Sequence, residues 1–163
     1  MKNLEIEDED SLQTYFIGRV QKILDSYGKK IIGWDEIIEG GLVSDATVMS
    51  WRGEEGGVIA AKSGNNAIMT PTSHLYFDYY QAKTGEPLAI GGLIPLEKVY
   101  SYEPIPDGLD INQATRILGA QGNVWTEYIK TPEMAEYMSV PRMTALSEIV
   151  LSLIHISEPT RPY

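Results

Sequence analysis

Four short apolar runs, separated by stretches long enough to hold helical crossovers, constrain this chain more than any other feature. Ile31 to Trp34, Thr47 to Trp51, Ala67 to Thr70 and Ile117 to Trp125 read as strands. Antiparallel neighbours would be joined by two-residue turns, whereas strands linked through helices run parallel, so the predicted class is α/β. The connecting segments carry helix signals. Leu12, Phe16, Val20, Ile23, Leu24 and Tyr27 fall at helical spacing, with acidic residues before them, Lys22, Lys29 and Lys30 toward the end, and Gly28 as a stop. Glu54 to Ser63 is a small-residue helix closed by Gly64, and Pro71 breaks the third strand. Gln81 to Asn112 is rich in Gly and Pro and reads as an elaborated surface loop. Thr131 and Pro132 start a last helix, kinked at Pro141, whose buried face is Met134, Tyr137, Met138, Leu146 and Ile149.

A closed (β/α)8 TIM barrel needs at least about 200 residues. The 163 residues here supply about four βα units, so the sheet is either open or half of a barrel. Neither G-x-G-x-x-G nor G-x-x-x-x-G-K-[ST] follows any strand, which weakens the nucleotide-binding reading of an open sheet and favours the half barrel. A net charge of -10 without a Lys or Arg cluster argues against a nucleic-acid partner, and no apolar run approaches a membrane span. With no cysteine there is no thiolate metal site or thiol nucleophile. His74 and His155 are the two histidines, so no metal site is expected; His74 suits a loop hydrogen bond.

Chemistry concentrates where the predicted strands end. Gly33-Trp34-Asp35-Glu36, Met49-Ser50-Trp51-Arg52-Gly53, Leu75-Tyr76-Phe77-Asp78 and Asn123-Val124-Trp125-Thr126-Glu127 each place an aromatic residue there, usually with a carboxylate, and they include all three tryptophans. In parallel barrels the carboxyl rim of the strands is where active sites are built. Sugars present apolar C–H faces beside hydroxyl groups, so indole walls interleaved with carboxylate acceptors suit a carbohydrate pocket; the competing reading makes the tryptophans core residues and the acids solvated loop charges.

At these residues the chain resembles glycoside hydrolase family 20, the β-N-acetylhexosaminidases, from about Ser11 to Val150. The ordered set G-W-D-E, M-S-W-R-G, Y-F-D and W-T-E carries the resemblance. It implies that residues 1–150 are the C-terminal half of that family's catalytic barrel. It implies too that Trp34, Trp51 and Trp125 box the 2-acetamido methyl of an N-acetylhexosamine. Tyr76 would then donate to the acetamide carbonyl oxygen, and Asp78 and Glu127 would accept from the O4 and O6 hydroxyls. The implied reaction is exo-acting and retaining, with no cofactor, and the substrate's acetamide oxygen is the nucleophile. N-acetylhexosamine-containing glycans are the implied partners.

Departures from the family bear on function. Its catalytic Asp-Glu pair stands in a G-G-D-E context absent from this chain, and so is its sugar-binding Arg. Asp35-Glu36 is a tempting substitute, but the Trp before it and the short spacing to Met49-Ser50-Trp51 match the strand after the catalytic one. The chain is therefore expected to need the N-terminal half of the barrel as its partner and to be inactive alone. Met1 reads as an internal methionine or a truncated start. Residues 151–163 abandon the helical period and read as a non-native tail. Arg52 is expected to brace its strand end or pair with Glu54 or Glu55, and Tyr100 or Tyr102 is the remaining candidate platform for a second sugar. The alternatives are a non-catalytic module that binds amino sugars and a truncated product without function.

Overall fold

A computed structural model describes residue 6 and residues 8–151. Met1, His155 and nearly all of the expected tail lie outside the described residues. The chain divides into two compact units, Met1–Pro71 with Ile105–Gly119, and Thr72–Pro104 with Ala120–Tyr163.

The first unit is built on a sheet. Helix α1 (Glu9–Ser26) precedes β1 (Ile32–Trp34), a 3-10 turn (Asp35–Ile38), β2 (Thr47–Ser50), α2 (Glu55–Lys62) and β3 (Asn66–Met69). The four strands, with β4 (Ile117–Ala120) last, lie in the order β1-β2-β3-β4. Trp34 stands beside Met49 and Ser50 beside Met69 in parallel register, while the Ala67 N–H reaches the Arg116 carbonyl oxygen at 2.9 Å. This is an α/β fold with parallel strands and alternating helices, part of a (β/α)8 barrel. Val48 and Ala67 are wholly buried, as strands covered on both faces require, and Ile31, Ile37, Ala46 and Ala60 complete the core.

Helix α1 begins where the Asp8 carboxylate accepts from the Ser11 N–H at 2.7 Å, and ends where Gly28, at φ 64°, lets the chain turn back on the helix. Its apolar residues do not share one buried stripe. Ile17, Val20 and Leu24 pack on the core, but Phe16, Ile23 and Tyr27 are 62%, 58% and 75% exposed. Helical spacing identified the element correctly and its covered face only in part.

In the second unit, α3 (Leu96–Tyr100) packs with α6 (Arg142–Leu151), and α5 (Pro132–Ser139) lies between them in sequence. The segment read as loop, Gln81 to Asn112, contains α3 and, in its part that belongs to the first unit, the start of α4 (Ile111–Ala114), which Asp110 and Gln113 open with a reciprocal capping box. The predicted fourth strand stops at Ala120, though pairing resumes as a bridge between Tyr76 and Asn123. The last helix is broken rather than kinked. Val140 is extended, as a residue before proline prefers, and Pro141 has no N–H to continue α5. Tyr137, expected in the buried face, is exposed, and its hydroxyl donates to Glu86 at 2.9 Å.

Candidate functional site

In the first unit, Trp34 closes β1 and Trp51 follows β2, so both stand at the carboxyl ends of adjacent parallel strands, each half-buried. The acids after Trp34 hold the segment after β2. Asp35 is 2% exposed, and its Oδ2 accepts the backbone N–H groups of Trp51 and Arg52 at 2.9 and 3.1 Å. Its Oδ1 takes the Arg52 Nε at 2.5 Å. Glu36 accepts the Trp51 indole N–H at 3.1 and 3.2 Å, so backbone and ring of one tryptophan are fixed by consecutive carboxylates. Arg52 also reaches Glu39, so its partners are Asp35 and Glu39 rather than Glu54 or Glu55. The β1–β2 register puts the turn after Trp34 beside residue 52, whereas Glu54 and Glu55 lead away into α2.

Ser50, unnoticed in the sequence beyond its place in M-S-W-R-G, completes this corner. Wholly buried, its hydroxyl donates to the Gly53 carbonyl oxygen at 2.7 Å and accepts the Gly57 N–H at 2.9 Å. A β-carbon at Gly57 would lie 2.4 Å from the Met69 sulfur, so a larger residue there would have to push the buried Met69 side chain aside as α2 meets the strands.

In the second unit, two segments are clipped side by side. The Phe77 N–H donates to the Asn123 carbonyl oxygen and the Asn123 N–H to that of Leu75, both at 2.7 Å. This pairing brings the Tyr76–Asp78 segment beside the one that continues to Trp125 and Glu127. Tyr76 is buried, with its ring 5.7 Å from that of Tyr79, and Trp125 is 40% exposed. Asp78 is 5% exposed, and its Oδ1 has no hydrogen-bond partner among the described residues. Burial raises its pKa to about 6; its backbone hydrogen bond opposes that shift, the negative charge of Glu127 adds to it, and the positive charge of Arg142 opposes it. Glu127 itself is exposed and lines an open groove with Leu88, Ile90, Tyr128 and Met134.

Other candidates fall outside this arrangement. His74 makes its loop contact with the Ser73 hydroxyl at 2.8 Å and stacks on Tyr102; burial, then the charge of Lys98, lowers its pKa. Tyr102 is buried, and the Tyr100 hydroxyl donates to Glu148 at 2.8 Å. Among the described residues, no group of three or more His, Cys, Asp or Glu is disposed to hold a metal, and no helix is long and apolar enough to cross a membrane. Arg142, which the sequence reading passed over, is wholly buried behind the Tyr76–Asp78 segment. Its signal was its place in the stripe of Met138, Leu146 and Ile149, where an apolar residue is expected.

The pattern of the glycosyl hydrolase family 20 catalytic domain matches residues 1–152. A β-hexosaminidase of Porphyromonas gingivalis is 50% identical over 151 residues, covering 91% of this chain and 19% of its own length. A β-hexosaminidase of Vibrio furnissii is 34% identical over 146 residues, covering 86% and 24%. Among solved structures, the family 20 exo-β-N-acetylglucosaminidase of Vibrio harveyi in complex with N-acetylglucosamine superposes with a TM-score of 0.82 at 33% identity, over 92% of this chain and 24% of that one. The chain thus spans about a fifth to a quarter of the length of these relatives. Family pattern, sequence identity and strand order agree along nearly the whole chain, which belongs to glycosyl hydrolase family 20.

Proposed function

We propose that the matched residues 1–152 are the C-terminal half of the barrel of an exo-acting, retaining β-N-acetylhexosaminidase, and that the residues after them do not belong to that domain. On this reading the segment holds the terminal N-acetylglucosamine or N-acetylgalactosamine of a glycan, and the acid that cleaves the bond stands elsewhere in the complete protein. The observation that carries it is Asp78: a buried carboxylate with one oxygen unpartnered, electrostatically coupled to Glu127. Burying such a group without a partner is costly, and hydroxyl donors from a sugar would offset that cost.

Each residue has a distinct part. The family resemblance assigns the acetamide methyl to Trp34, Trp51 and Trp125 and the acetamide oxygen to Tyr76 as its donor. That oxygen attacks the anomeric carbon as the glycosidic bond breaks, the leaving oxygen taking a proton from the acid. Water then opens the cyclic intermediate with net retention. Asp78 and Glu127 accept from O4 and O6, which limits the site to a chain end. Asp35 and Glu36 serve by position: one is engaged by two backbone N–H groups and Arg52, the other by the Trp51 indole. Neither is placed as a free acid, which supports putting the proton donor outside this segment.

The test is kinetic, in the full-length protein with a chromogenic N-acetylglucosaminide. Tyr76→Phe is expected to lower kcat about 100-fold with little change in KM, the size expected for losing a donor aimed at developing charge. Trp125→Ala should impair both constants, and Glu36→Gln should keep kcat within about threefold, since its amide oxygen still accepts from the indole. Loss of turnover in Glu36→Gln comparable to loss of a general acid, about 10² to 10⁴-fold, would make Asp35-Glu36 the catalytic pair. Sugar binding by the full-length protein without turnover would favour the lectin-like module.

A further inference from the structure

Among the described residues Arg142 is the largest fully buried side chain, at 0% exposure, and it forms no ion pair with a carboxylate there. Taking a guanidinium out of water without a counter-ion costs several kcal/mol. Burial accordingly lowers its pKa to about 10, opposed by the more distant charges of Glu86 and Asp78. Four backbone carbonyl oxygens compensate. One terminal nitrogen donates to Tyr79 and Ile94 at 3.0 and 3.1 Å, the other to Phe77 and Met138 at 2.5 and 2.6 Å. The guanidinium carbon also lies 5.1 Å from the centroid of the buried Phe77 ring.

The choice of carbonyls is informative. Phe77 and Tyr79 are the residues on either side of Asp78, so one rigid planar fork grips the Phe77–Asp78 peptide before the candidate acceptor and the Tyr79–Tyr80 peptide one residue beyond it. Ile94 and Met138 supply the fixed side of the grip, from the segment before α3 and from α5. The Phe77–Asp78 and Tyr79–Tyr80 peptides therefore cannot rotate without breaking charge-assisted hydrogen bonds, which holds the two-residue stretch that carries the Asp78 side chain. A cation behind the carboxylate also favours its acceptor form.

We propose that Arg142 is a positioning residue for substrate recognition: by clamping the carbonyls of Phe77 and Tyr79, it aims the Asp78 carboxylate at the hydroxyls of the terminal sugar. The inference rests on the reading of Asp78 as an acceptor for O4 or O6, and it assigns the accuracy of that contact to a residue that touches no substrate. Lysine cannot replace the fork, because one ammonium cannot span four carbonyls arranged around a planar group.

The experiment compares two substrates in the full-length protein, an aryl N-acetylglucosaminide and its 4,6-dideoxy analogue, which cannot donate to Asp78 or Glu127. The readout is the ratio of their kcat/KM values. Arg142→Lys should lower kcat/KM for the parent sugar about tenfold or more and change the analogue much less, collapsing the ratio. A general packing defect would lower both substrates equally, and an unchanged ratio with reduced activity overturns the proposal. Asp78→Asn in the same assay separates the two levels: if it leaves the ratio intact, the acceptor reading of Asp78 fails, whatever Arg142 does. Should Arg142→Lys not fold, Phe77→Leu removes the ring under the guanidinium while keeping the arginine. It should give a smaller drop in the same ratio, and no drop there also overturns the proposal.

Discussion

Single atoms at the ends of strands decide much in this chain, and Gly122 is a clear case. A β-carbon there would lie 2.4 Å from Phe77 Cε2, against a ring that is wholly buried beside Arg142 and cannot swing away. Gly122→Ala should therefore cost about 1–3 kcal/mol, the usual range for forced overpacking, whereas Gly18→Ala in α1 meets only Val43 Cγ1 at 3.7 Å and should be neutral or stabilising. Urea midpoints of the full-length protein check both, and equal effects would remove the steric argument. Asp78 makes a prediction with a definite sign. Its folded pKa is about 6 against an ordinary 3.8, so the folded state keeps a proton that the unfolded chain has already lost between those values. Its contribution to stability is full below about 3.8 and is lost as pH rises through 6, by on the order of 3 kcal/mol. Stability of Asp78→Asn relative to wild type should therefore increase between pH 4 and pH 7. A gap that stays flat over that range would show Asp78 to be unperturbed.

Among the elements, the corner after β2 shows how strand, turn and helix are joined. Ser50 links them with one hydroxyl, and Ser50→Ala would leave the buried Gly57 N–H without its acceptor at 2.9 Å. The expected loss is about 1–3 kcal/mol. Thr131→Ala removes the N-cap of α5, whose hydroxyl accepts the Met134 N–H at 3.2 Å; this exposed site should cost only about 1 kcal/mol. Thermal midpoints of the two variants should fall in that order. The same elements show what sequence could and could not reveal. The existence of four strands, their parallel type and the crowd of aromatics and acids at their ends were legible, because parallel strands repeat a simple pattern of apolar run, turn and crossover. Details requiring knowledge of a distant neighbour were not. That Arg52 meets Asp35 and Glu39 depends on the β1–β2 register, and that Phe16 and Ile23 stay open depends on which side of α1 faces the core. Arg142 was hidden because an arginine in an apolar stripe looks like a surface residue until its four carbonyl partners are brought together from three segments.

For the molecule as a whole, the balance between exposed apolar surface and net charge governs how the isolated chain behaves. In the first unit β1 and β4 are the outer strands of the sheet, with Ile32 and Leu118 56% and 58% exposed. An open groove on α1 adds Leu12, Tyr15, Phe16 and Ile23. Unpaired strand edges beside apolar patches favour association between copies. The net charge of -10 opposes it, but only over a screening length that shrinks from about 10 Å at 0.1 M salt to about 3 Å at 1 M. Association of the isolated chain should therefore increase with salt, contrary to an assembly held by ion pairs. Light scattering after size exclusion at low and high salt measures it. A monodisperse monomer in both conditions, with a sharp thermal transition, would show that the exposed edges are harmless. If instead they are covered in the complete barrel, a separately expressed preceding half should suppress the association. It should also bring turnover of a fluorogenic N-acetylglucosaminide that neither piece has alone. Turnover by the isolated chain would place the acid within it, and association relieved without turnover would mean that the halves dock without completing the site.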